Sequence, residues 1–158
     1  MTRMNDSSFR RPPDLVYQSY LHYMDNVVAS KKITPEEKNL IQLFISEAGG
    51  MREITSQRKY AIGISLVNFR EYITDYRTCT TSEVFMAIEK YRIHSGHSAS
   101  YQNVALSTCK RFLLWLHESG HNTELNPTKI SKLHLKLPTA LKTVDDILTA
   151  DELQRIFK

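Results

Sequence analysis

The run "HSASYQNVALSTCKRFLLWLHESGHNTELNP" (His97–Pro127) decides how the rest of the chain is read. Its first half is polar and reaches the paired bases Lys110 and Arg111; its second half turns apolar in "FLLWL". Ala105, Cys109, Phe112 and Leu116 recur at i, i+4, i+7 and i+11, the spacing of one helix face. This predicts one helix from near Ser98 to just before Gly120. One end suits water or phosphate and the other a hydrophobic core. Burying Phe112 and Leu116 contributes roughly 1.5–3 kcal/mol each, enough to anchor the helix while its polar end stays exposed.

The preceding segments have the same helical character. In "ITPEEKNLIQLFISEAGG", Thr34 and Glu37 form a capping-box pattern, Pro35 suits the first helical position, and Gly49-Gly50 marks a stop. Leu40, Ile41, Phe44, Ile45 and Ala48 share a face. A second helix opens at Thr55 in "ITSQRKYAIGISLVNFREYI", with the stripe Ile62, Leu66, Phe69, Ile73. A third, "TTSEVFMAIEKYRIHSG", has a Thr80–Glu83 box, an Ile88/Tyr91 face and Gly96 beyond its end. Ahead of these, Asp14 can cap an accessory helix whose Tyr17, Tyr20, Leu21, Met24, Val27 and Val28 share a face. No segment alternates as a strand does, so the expected class is all-α.

After Asn126-Pro127, "TKISKLHLKLPTALKTVDD" has four lysines, one proline and no sustained period, and reads as a basic linker over 128–146. "ILTADELQRIFK", over 147–158, then opens a capped helix at Thr149 and Glu152. A helix starting at the last residues suggests a piece of a longer protein, cut just inside its next domain. Five glycines and five prolines in 158 residues are few, which agrees with long regular elements.

The formal net charge is +4, unevenly spread. Residues 96–142 carry six basic against two acidic side chains, whereas residues 34–95 balance at eight each. The excess falls on the quoted helix and the segment after it; composition alone favours a solvated lysine-bearing surface, and a nucleic-acid footprint is the sharper reading. No apolar stretch approaches the 18 or so residues of a membrane span. "MTRMNDSSFRRPPD" lacks the apolar core of a signal peptide. Two cysteines, Cys79 and Cys109, make no disulfide framework, so a reducing, cytoplasmic setting is expected.

The pairs His94/His97 and His117/His121 have ligand spacing, but each straddles a glycine at a helix end where regular spacing is lost, so no metal is assigned. There is no phosphate-cradling glycine loop, no nucleophile elbow and no acid–base pair, so neither cofactor, small-molecule substrate nor catalytic residue is assigned. The stronger signals are two helix starts. "TSQRKY" offers Thr55, Ser56, Gln57, Arg58 and Lys59; "SASYQN" offers Ser100, Tyr101, Gln102 and Asn103, with Lys110 and Arg111 two turns on. Hydroxyl, amide and cationic groups at a helix N-terminus can bind phosphates, helped by free N–H groups, and Gln or Asn can read adenine edges. Lysines of the following segment, Lys132 and Lys136 among them, extend the basic strip.

In order and spacing, "ITPEEKNLIQLFI", "ITSQRKYAIGISLVNFREYI", "SASYQNVALSTCKRFLLWLHESG" with "NP", and "ILTADELQRIF" resemble the N-terminal core-binding (SAM-like) domain of tyrosine recombinases of the phage-integrase family, archaeal-type members in particular. The resemblance spans roughly Ile33 to Lys158. It implies an orthogonal four-helix bundle over 33–127, preceded by an N-terminal extension with its extra helix over 1–32. It also implies double-stranded DNA as partner and assembly of the parent as a homo-oligomer on DNA. The family's conserved positions near the start of the second helix fall on Thr55 and Arg58, and a basic position on the fourth falls on Lys110. Where members often carry bases earlier on that helix, this chain has Val104 and Ala105. The family's catalytic tyrosine, arginines, lysine and histidines belong to a following domain, and none is placed on these residues.

The first reading is therefore a DNA-binding core-binding domain that does not itself cut DNA. A helical protein-interaction module, using Tyr17, Tyr20 and Tyr23, and a stand-alone DNA-binding regulator are the alternatives.

Overall fold

The computed structural model describes residues 13–51, 54–133 and 135. Among them every regular element is helical: α1 (Pro13–Ala29), α2 (Pro35–Met51), α3 (Ser56–Arg70), α4 (Thr81–His94), α5 (Ala99–Glu118) and the short α6 (Pro127–Ser131). The calls on residues 1–12, Lys136, the rest of the linker and the 147–158 helix lie outside the described residues.

The helix starts follow local chemistry. Thr34 Oγ1 accepts from the Glu37 amide at 3.0 Å and Glu37 Oε1 accepts from the Thr34 amide at 2.9 Å, a complete capping box. Thr55, Thr80 and Ser98 cap α3, α4 and α5 through the amides of Arg58, Glu83 and Tyr101. Two expected boundaries move. Helix α2 runs through Gly49-Gly50 to Met51, and α1 already begins at Pro13, which places Asp14 inside its first turn. At the end of α5, Gly120 takes a φ of +80°, and the His121 amide returns to the Leu116 carbonyl at 2.8 Å. This left-handed turn is where a residue without Cβ is needed.

Helix α1 is not accessory. Tyr20, Met24 and Val27 belong to the same core as Ile41, Leu66, Tyr91 and Phe112. It lies along α3 at Gly63, where an added Cβ would come within 3.0 Å of the Tyr20 ring. Glycine there permits the close approach. Tyr17, expected on the buried face, is instead exposed, and Val16 takes its place inside.

Helix α3 also packs on α5. The stripes read for both helices are buried: Ile62, Leu66, Phe69 and Ile73, then Ala105, Cys109, Phe112 and Leu116. Phe112 sits among Phe44, Tyr76 and Trp115, with ring centroids 4.9–5.8 Å away. The buried face of α5 runs the length of the helix, from Gln102 through Ala105, Leu106 and Cys109 to Phe112, Leu113 and Leu116, so the polar-to-apolar change along the helix is not an exposed-to-buried change.

The expected linker does not start at Thr128. Asn126 caps α6, Pro127 opens it, and Ile130 is fully buried against the bundle. Leu135 is buried as well, and its carbonyl accepts from Arg92 Nη2. A five-residue helix shows no sustained period in sequence, so two leucines and an isoleucine among lysines read as a strap when they are the last layer of the core.

Candidate nucleic-acid interface

The two helix starts singled out by sequence are both at the surface. In α3, Thr55 and Gln57 are exposed, while Ser56, Arg58 and Lys59 are half-buried. The Lys59 ammonium lies 5.5 Å from the centroid of the Tyr17 ring, so α1 holds this cation in place. In α5, Ser100 and Tyr101 are exposed and Asn103 is half-buried.

Tyr23 of α1 packs beside the α3 start. Its ring is 5.7 Å from that of Tyr60 in α3. Burial raises its phenol pKa to about 12, with further upward pushes from the Tyr60 and Tyr101 hydroxyls. Tyr101, in the first turn of α5, packs its ring on His97 at 4.6 Å. No sequence signal marked the place of Tyr23, because it sits on the flank of the α1 stripe.

Two expected contact residues are placed otherwise. Gln102 points inward: it is buried, and its Nε2 donates to the His97 carbonyl at 2.9 Å and to Ser95 Oγ at 3.3 Å. It staples the α4–α5 turn, and its amide is not offered to a base edge. Its period with Ala105 and Cys109 is the signal that foretold this, since i+3 and i+7 from Gln102 is the core face. Lys110 is half-buried, and its Nζ donates to the Leu133 carbonyl at 3.2 Å, which ties down the chain after α6. Its neighbour Arg111 is exposed. Lys132, the C-cap of α6, is exposed, on a different element from the two helix starts. Lys136 lies outside the described residues.

One histidine of each pair has a structural contact. His97 Nδ1 is 2.9 Å from the Tyr91 hydroxyl, its ring sits 4.6 Å from Tyr101, and His121 leans on Trp115 at 5.3 Å. Among the described residues, no group of three metal-ligating side chains gathers. Both cysteines are buried and free; burial, aided by Glu83, pushes the Cys79 thiol up to about 12, and burial pushes Cys109 up as well. Neither is a reactive thiolate. Among the described residues no helix is long and apolar enough to cross a membrane.

No protein-family model, curated protein or solved structure matches the chain.

Proposed function

We propose that this chain is a helical DNA-binding module of the core-binding type found in tyrosine recombinases, with α2–α5 as the orthogonal four-helix unit and α1 added to it. The observation that carries the reading is the exposure of polar side chains at the α3 and α5 starts. Gln57, Ser100 and Tyr101 are exposed, and Arg58, Lys59 and Asn103 are half-buried. These starts offer a duplex two helix N-termini, cations and short polar side chains. The parent protein would break and rejoin strands through a catalytic domain, assembled as a homo-oligomer on its site. Both statements rest on the sequence resemblance.

The contact set is narrower than the one drawn from sequence. Gln102 leaves it, Lys110 becomes a tether, and Arg58, Lys59 and Arg111 carry the charge. The test is fluorescence anisotropy of the chain with a labelled duplex across a salt series, repeated with Arg58→Ala/Arg111→Ala. Affinity should fall as salt rises. In a double variant shown by circular dichroism to be folded, the log–log slope should shrink by about two phosphate equivalents. A folded chain that ignores duplex DNA even at low salt would refute the reading.

One observation favours a second reading, a protein-interaction module. Phe85, Met86 and Ile93 of α4 are exposed, Ile93 at 68 %. The tyrosines that suggested such a module do not support it equally, because Tyr20 is buried and Tyr23 half-buried within the bundle.

A further inference from the structure

A cleft of 380 Å³ opens between α1, α2 and α3, near the α3 start. Its polar wall consists of Tyr17, Tyr20, Gln42, Ser46 and Lys59; Leu21 and Ile45 supply apolar surface, and no carboxylate among the described residues lines it. Every polar side chain there can donate a hydrogen bond, and one is a cation. Gln42 and Ser46 are four residues apart on α2 and so project from the same face.

Tyr20 is the anomaly. The residue is 2 % exposed, yet its hydroxyl has no hydrogen-bond partner among the described residues. A buried hydroxyl without an acceptor is costly and unusual in a folded protein. Its phenol is held protonated to about pH 12, by burial first and by Tyr17 second, so it is a donor at neutral pH. Lys59 is held beside this cleft by the Tyr17 ring. An unmatched donor, a positioned cation and further polar groups, with no negative charge among them, describe a receptor for an oxyanion.

We propose that this cleft is a phosphate site, in which Lys59 and the Tyr20 hydroxyl hold the anion and Gln42 and Ser46 complete its hydrogen bonds. The choice of phosphate over carboxylate rests on the DNA-binding reading, since Lys59 belongs to the α3 turn proposed to meet the duplex. The phosphate comes either from a nucleic-acid backbone or from a free phosphate.

The test is two-dimensional NMR of the whole chain, titrated with inorganic phosphate at constant ionic strength and, separately, with a short duplex. The amide signals of Gln42, Ser46 and Lys59 should shift saturably with phosphate. Tyr20→Phe, which removes only the oxygen, should weaken binding roughly tenfold, the loss expected for one hydrogen bond to a charged group. Ser46→Ala, at an exposed position, should weaken it less. The absence of a saturable shift, or equal affinity in a folded Tyr20→Phe protein, overturns the site. Duplex binding that persists in that case leaves the DNA-binding reading standing. Phosphate binding that depends on Tyr20, without any duplex binding, supports the site and sinks the DNA-binding reading. If the duplex shifts the same three signals, the backbone is the source of the phosphate.

Discussion

Helices α2 and α4 begin with the same written pattern, a threonine followed three residues later by a glutamate, and the two glutamates end in different places. Glu37 answers Thr34 with one carboxylate oxygen and gives the other to Arg70 Nε at 2.6 Å and the Tyr76 amide at 2.8 Å. It is fully buried, and its partner Arg70 continues to the Ile73 carbonyl at 3.0 Å. Glu83 leaves its box half made. Its amide is capped by Thr80 at 3.2 Å, but its carboxylate accepts from the Thr74 amide at 2.7 Å. The difference teaches that a capping box specifies where a helix starts, while the free carboxylate oxygen goes to whatever donor the fold brings near. At α2 that donor is a cation in the core, and at α4 it is a loop amide at the surface.

The comparison breaks most visibly at Glu37. Glu37→Ala leaves a partly buried guanidinium, the Tyr76 amide and the Thr34 amide without their acceptor, and should cost about 3–5 kcal/mol in urea unfolding. Glu37→Gln keeps one acceptor oxygen, enough for only one of the two amides, and sets an NH2 donor against the donors on the other side, so it should recover only part of the Glu37→Ala loss. Equal losses would mean that the one retained hydrogen bond contributes nothing. Glu83→Ala removes one hydrogen bond near solvent and a favourable charge at a helix start, and should cost only about 1 kcal/mol. If it matched Glu37→Ala, the two boxes would be equivalent after all.

The loop between α3 and α4 sharpens the contrast through pH. Asp75 accepts from the Arg77 amide at 2.8 Å and pairs with the Arg77 guanidinium at 3.1 Å. Burial pushes its carboxyl up, but the hydrogen bonds and charge of Arg77 outweigh this, and its pKa is lowered overall. A lowered folded-state value means the contribution is present above the unfolded pKa, near 4, and lost as pH falls through the folded one. Asp75→Asn should therefore flatten the stability curve below about pH 4 and cost no more than about 1 kcal/mol at neutrality. The smallest effect belongs to Tyr20→Phe. Removing an unpartnered buried hydroxyl should leave the melting temperature of the ligand-free chain unchanged or slightly raised; a clear drop would show that the hydroxyl has an acceptor within the protein.

Helix existence, the starts at Thr34, Thr55, Thr80 and Ser98, and the buried stripes of α3 and α5 were legible in the sequence. They depend on contacts three or four residues apart, within reach of local chemistry. The candidate site was legible only as composition. Polar residues at a helix start look alike whether they face water or a neighbouring loop, and Gln102 faces a loop. Lys110 reads as a surface base until Leu133, beyond α6, is brought to it. Asn122 drew no notice at all, yet it is buried, and its Nδ2 donates to the Tyr76 and Cys79 carbonyls at 2.9 and 3.0 Å, joining the α5 exit to the α3–α4 loop.

The sequence by itself determined an all-helical chain, its caps and the buried stripes of α3 and α5. All of these follow from periodicity and first-turn hydrogen bonding. Tertiary structure alone decided that α1 is core rather than appendage, that Ile130 and Leu135 close the bundle, and that Tyr23 packs on Tyr60 of α3. It also decided that Glu37 serves an arginine 33 residues away. Those outcomes depend on which surfaces meet, and a side chain's donors and acceptors are spent on the partners that packing supplies, whatever their distance along the chain.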